Sequence, residues 1–183
     1  GPCLAKDLAH KIRSSVVLAN PDLNVAKFIG EMISTNYYST EYSEDLFGVE
    51  ICAAIKNFYS MIIGASEGLN TAASLMYKSI TEMVNFNKTF GGKEETVYGL
   101  AGLGDLYVSS AGGRNSKMGK YLADGYVYSK AKSKFMLHET VEGAQLAFEI
   151  GPKILKDLDQ KGFPLMYNLV DALCNDKKLK INW

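Results

Sequence analysis

From about Gly48 to the C-terminus, apolar residues recur every third or fourth position, and this period commits most of the chain to helices. Leu146, Ala147, Ile150, Ile154, Leu155 and Leu158 mark a helix over 143–160, with a kink expected at Pro152 and a stop at Gly162. Pro164 opens another over 164–175, with Leu165, Leu169 and Leu173 on one face. Earlier, Asn70 or Thr71 is placed to cap a helix carrying Leu75, Met76, Ile80, Met83 and Phe86 or Phe90.

The residues ahead of Gly48 read differently. Residues 15–19 (Ser-Val-Val-Leu-Ala) have the character of a short buried strand ended by the turn signal Asn20-Pro21-Asp22. Val25, Phe28, Ile29, Met32 and Ile33 then form an apolar stripe over a helix at 22–34, and the Tyr- and Thr-rich residues 36–42 suggest a second strand. The fold class expected is mainly α, a helical domain at 46–183 preceded by a βαβ remnant at 1–45 too small to be a domain itself.

With 47% hydrophobic and 22% charged residues among 183, the chain can bury a sizeable core, as one globular domain or one plus a fragment of another. Twenty basic residues balance twenty acidic ones, so no global field favours nucleic acid, and any anion site must be local. Cys3, Cys52 and Cys174 are too scattered for a disulfide scaffold or a metal-ligand pattern. Lys56, Asn57 and Gly64 interrupt the longest apolar stretches, so stable membrane insertion is not expected; no signal peptide opens the chain, and a cytoplasmic location is the default. The opening Gly1-Pro2 in place of Met suggests a fragment of something longer, or residues left where a tag was removed.

Lys56 is the only charged residue between Glu50 and Glu67. An ammonium held in apolar surroundings loses hydration and its pKa falls toward neutrality, which would suit a proton donor and acceptor; alternatively its stem lies along the helix and its head snorkels into water.

Glycine is densest over Gly99–Gly104 and at Gly112-Gly113. Residues 99–104 read G-x-x-G-x-G without a convincing strand before them, so the dinucleotide fingerprint fails, and Gly119-Lys120-Tyr121 fails as a phosphate-binding P-loop. Gly112-Gly113-Arg114-Asn115 survives. It precedes a helical stretch at 116–123, so free backbone N–H groups, an Arg fork and an amide donor would converge as a phosphate would require. The alternative is a solvated loop Arg beside turn-forming glycines. Asp105 sits in the glycine-rich turn, either as a turn former or as a carboxylate partner for Lys56.

Three segments in order, Gly48-Val49-Glu50-Ile51-Cys52-Ala53-Ala54-Ile55-Lys56-Asn57, Gly99-Leu100-Ala101-Gly102-Leu103-Gly104-Asp105-Leu106 and Gly112-Gly113-Arg114-Asn115, closely resemble the NAD(P)-dependent sn-glycerol-3-phosphate dehydrogenases. Gly1-Pro2-Cys3-Leu4-Ala5 resembles the end of that family's nucleotide-binding domain, and Val141-Glu142-Gly143 a late cofactor-contacting segment. The resemblance implies an all-helical C-terminal dehydrogenase domain of the 6-phosphogluconate dehydrogenase type behind a Rossmann remnant. It gives Lys56 the role of catalytic acid and base on dihydroxyacetone phosphate, and Asp105 that of the acidic residue contacting it. Asn57, Ser109, Arg114 and Asn115 become substrate-binding positions, Ala5, Arg114 and Glu142 positions for NAD or NADP, and Thr140 a weaker cofactor position.

The expected N-terminal Rossmann domain, with its own substrate lysine, is missing, so the chain alone should bind NAD(H) poorly and turn over slowly or not at all. Cys3 replaces the family's usual Ser or Thr. NAD versus NADP preference and a homodimer are left open. The rivals are a related Rossmann-type dehydrogenase with another phosphorylated substrate and a non-catalytic helical module for dimerisation or regulation.

Overall fold

A computed structural model describes residues 1–181, with helices α1 (Ala5–Ala9), α2 (Leu23–Ile33), α3 (Leu46–Gly64), α4 (Leu69–Thr89), α5 (Glu94–Tyr98), α6 (Asp105–Ser110), α7 (Arg114–Ala123), α8 (Tyr128–Phe135), α9 (Glu142–Asp157) and α10 (Pro164–Cys174). Strands β1 (Ser14–Ala19) and β2 (Tyr38–Ser43) pair in parallel from Ser14 opposite Tyr38 to Ala19 opposite Ser43, and α2 makes the crossover such a pair requires. Helices dominate, with a βαβ piece in front, as the sequence predicts.

The chain divides into two compact units, one of residues Gly1–Ala53 and Met83–Val108, the other of Ala54–Glu82 and Ser109–Trp183. In the first, the expected stripe on α2 is not the buried one: Val25, Phe28, Ile29, Met32 and Ile33 are exposed, while Ala26 and Gly30 are buried. Gly30 has Tyr42 and Thr40 of β2 so close that a Cβ would overlap them, which explains why the small residues face the sheet.

The first unit is tied by one carboxylate. Asp45 stands just before α3 and is 8% exposed. Its Oδ1 accepts from Gly48 N at 3.0 Å, and its Oδ2 accepts from Lys93 N at 2.8 Å and Thr96 Oγ1 at 2.5 Å, so one side chain caps α3 and anchors the start of α5. Burial pushes its pKa up, but the hydrogen bonds from Thr96, Lys93 and Gly48 outweigh this and hold it below the ordinary value. Beside it, fully buried Cys52 has its thiol pushed up to about 12 by burial and by the Asp45 charge, which keeps it protonated and unreactive.

The glycine-rich stretch is the main correction to the expected elements. Leu100–Gly104 forms a π-helical turn between α5 and α6, and Asp105 is the first residue of α6 rather than part of a turn. Gly102 is required there because a Cβ would strike the Val97 backbone.

In the second unit, α3, α9 and α10 supply much of the core, including Phe58, Tyr59, Met61, Ile62, Ala147, Met166 and Leu169. Helix α3, at 19 residues, has the length and composition of a membrane span, but half of its apolar window is buried and its inward residues serve as core. Glu82 of α4, 4% exposed, accepts from Leu165 N at 2.7 Å, Met166 N at 3.0 Å and Tyr59 OH at 3.2 Å, closing the N-terminus of α10 behind Pro164. Burial raises its pKa despite those three donors. Three boundaries differ from expectation: α4 begins at Leu69, ahead of Asn70 and Thr71; Phe90 lies beyond its end; and α9 stops at Asp157, before residue 160.

Candidate active site

Helix α7 begins two residues earlier than the expected 116–123, so Arg114 and Asn115 are its first two residues, with Gly113 as N-cap. The opening N–H groups of a helix have no acceptor within it and carry the positive end of its dipole. Arg114, half-exposed, adds a guanidinium at this point.

Asn115 is 6% exposed and is oriented by backbone. Gly143 N can only donate, and Asn115 Oδ1 accepts from it at 2.8 Å, which aims Asn115 Nδ2 the other way. That nitrogen donates to Asn57 Oδ1 at 3.1 Å and to Glu142 Oε2 at 3.3 Å. Arg114 donates to the other oxygen of Glu142. Three helices thus meet at one amide: α7 through Asn115, α3 through Asn57, and the start of α9 through Glu142 and Gly143. Gly143 must lack a side chain, since a Cβ there would lie 2.9 Å from Asn57 O and 3.0 Å from Asn115 Oδ1.

The approach of α7 to α3 is set by a second glycine contact. A Cβ on Gly119 would overlap Met61 O, and one on Gly64 would overlap the Ser116 backbone, so the two helices pass at backbone contact. This seam, which periodicity alone does not reveal, brings the two asparagines within hydrogen-bond reach.

Lys56 adjoins Asn57 on α3 and is half-buried, neither sealed in the core nor fully in water. Asp105 is 6% exposed in the first unit, its Oδ2 lying 3.2 Å from the Gly1 ammonium. Ser109 lies on α6, and its carbonyl accepts from Gly113 N at 3.2 Å. Ala5 opens α1 and is exposed; Thr140 is exposed just ahead of α9. Nearby, Lys117 donates to Glu139 at 2.6 Å, a hydrogen bond that raises the lysine pKa. Among the described residues, no group of three His, Cys, Asp or Glu side chains is arranged to hold a metal ion.

A family sequence model described as NAD-dependent glycerol-3-phosphate dehydrogenase C-terminus matches residues 45–181. The chain belongs to this family. A glycerol-3-phosphate dehydrogenase [NAD(P)+] of Clostridium botulinum is 34% identical over 161 residues, covering 84% of this chain and 49% of that protein. An NADP(+)-dependent glycerol-3-phosphate dehydrogenase of Archaeoglobus fulgidus is 31% identical over 171 residues, covering 86% and 51%. The crystal structure of glycerol-3-phosphate dehydrogenase from Coxiella burnetii superposes with a TM-score of 0.86 at 29% identity, over 97% of this chain and 55% of that one. The chain therefore spans about half the length of the glycerol-3-phosphate dehydrogenases it matches.

Proposed function

We propose that this chain is the substrate-binding and catalytic part of a glycerol-3-phosphate dehydrogenase, acting in the reversible NAD(P)H-dependent reduction of dihydroxyacetone phosphate to sn-glycerol 3-phosphate. In this reading residues 1–45 are the end of the nucleotide-binding domain and 46–183 the catalytic domain. The observation that carries it is the pairing of Arg114 and Asn115 at the start of α7, a guanidinium and an oriented amide at a helix N-terminus, the donor set a phosphate monoester takes.

Asn57, tied to Asn115, positions the substrate beside Lys56. In the reduction the Lys56 ammonium gives a proton to the carbonyl oxygen as the carbonyl carbon gains a hydride, and in the oxidation the neutral amine takes the hydroxyl proton back. Asp105 is assigned the acidic role, and Ser109 a contact with the substrate. Ala5, Arg114 and Glu142 are assigned to the dinucleotide, which supplies the hydride when bound. The half-exposed guanidinium of Arg114 suits its phosphate charge, and the small side chain of Ala5 leaves its backbone approachable.

Calorimetric titration with sn-glycerol 3-phosphate and with glycerol tests the phosphate reading. The expected result is a response to the phosphate ester alone, lost in Arg114→Ala. Equal behaviour of the two ligands, or of the variant and the parent, would overturn it.

A further inference from the structure

Both donors assigned to the substrate phosphate are turned onto the same internal acceptor. Glu142 Oε1 receives Arg114, and Glu142 Oε2 receives Asn115 Nδ2 at 3.3 Å. One carboxylate thus presents an oxygen to each donor, as two oxygens of a phosphate would. Asn115 has little freedom to turn away, because its Oδ1 is held by Gly143 N at 2.8 Å. Glu142 itself is about a third exposed and sits in the first turn of α9, at the end of a helix where negative charge is favoured.

We infer that Glu142 is an internal anion that occupies the phosphate donors of Arg114 and Asn115 in the unliganded protein and must be displaced by the incoming ligand. The inference rests on the phosphate reading of this site. A phosphate monoester displaces the carboxylate because it carries about −1.5 to −2 charges and three acceptor oxygens, against a single charge and two oxygens. Displacement leaves the Glu142 carboxylate beside a phosphate of like charge, which favours its turning outward. Glu142 thereby lowers the affinity of the empty site for any anion, and the protein reserves the site for a strongly charged ligand.

The test is titration of the ¹⁵N-labelled 183-residue chain with inorganic phosphate, following the Arg114 side-chain Nε–H and the Asn115 Nδ2 resonances. Glu142→Gln removes the competing charge while keeping the size of the side chain. Because the pair is partly solvated, the expected gain is modest, phosphate binding about two- to fivefold tighter than in the parent. Glu139→Gln removes a neighbouring charge that belongs to Lys117 and should leave the affinity at the parent value. Unchanged or weaker binding in Glu142→Gln would overturn the displacement while leaving the phosphate site standing. An equal gain in Glu139→Gln would also overturn it, by showing a general field effect. If phosphate moves neither resonance in the parent or in Glu142→Gln, the phosphate reading itself fails and the inference falls with it.

Discussion

Asn115 Nδ2 donates to Asn57 Oδ1 at 3.1 Å, linking the first turn of α7 to the residue that follows Lys56 on α3. The bond makes the proposed anion-binding end of one helix and the proposed proton donor of another part of a single arrangement. Asn115→Asp replaces the donor with an acceptor and sets a second carboxylate against Glu142. Loss of a charge-assisted donor of this kind is worth about 1.5–3 kcal/mol, so glycerol 3-phosphate affinity should fall by tenfold or more, with the melting temperature as a control for folding. An affinity within a factor of two of the parent, roughly 0.4 kcal/mol, would remove Asn115 from the site.

Gly119 tests the geometric origin of that bond. A methyl group at this position meets the Met61 carbonyl, so α7 must move away from α3. Gly119→Ala is expected to destabilise the protein by about 1–3 kcal/mol, the usual range for overpacking, despite the better helix propensity of Ala. Urea unfolding measures this; a stabilised variant would contradict backbone contact between the helices.

Asp45 should stabilise the fold only where it is ionised. Its folded pKa lies below the ordinary value, so its contribution is present above about pH 3.8 and is lost as pH falls through the folded value. Asp45→Ala removes the acceptor for three donors and should destabilise by about 2 kcal/mol or more at neutral pH, with a smaller difference from the parent at the acid end. Denaturation at a series of pH values reads both.

Glu82 has the opposite sign. Its folded pKa is raised by burial, so the folded state holds the proton more tightly than the unfolded one. The stability it contributes is full below about pH 4.5 and declines as pH rises through the folded value. Glu82→Gln should flatten this decline, and should also destabilise at every pH, because its amide nitrogen faces one of the Leu165 and Met166 N–H groups. A parent whose stability curve has the same slope as the variant between pH 4.5 and 7 would contradict the raised pKa.

What could be read from the sequence depended on how local the cause was. The strands follow from a short apolar run closed by the Asn20-Pro21-Asp22 turn and from Tyr- and Thr-rich composition, α2 from helical spacing though not its buried face, and α10 from Pro164, all signals within a few residues of the element. The glycines ahead of Arg114 and Asn115 marked a nearby helix start for the same reason, although the helix takes in these two residues rather than beginning after them. The Gly99–Gly104 segment was read as a turn because its composition is that of one; its helical form depends on backbone contact between Gly102 and Val97. Helix α8 has too few apolar residues to show a period, and its start is held by Asp176, whose Oδ1 accepts from Ser129 N at 2.9 Å and Oδ2 from Ser129 Oγ at 2.6 Å. Glu82 resembles any helix-surface carboxylate until Leu165 and Met166 arrive from more than eighty residues away. The hold of Glu142 on Arg114 and Asn115 is long-range in the same sense.

The most direct test of the proposed chemistry is NADH oxidation driven by dihydroxyacetone phosphate, with the chain joined to the part of the Clostridium botulinum relative that it does not cover and Lys56 intact or replaced by Ala. General acid catalysis supplies about 10²–10⁴-fold, so Lys56→Ala should lower kcat by at least about a hundredfold while glycerol 3-phosphate still binds. A Lys56→Ala protein that turns over at close to the parent rate would show that the proton comes from elsewhere, and would contradict the assignment of this chain's catalysis to Lys56.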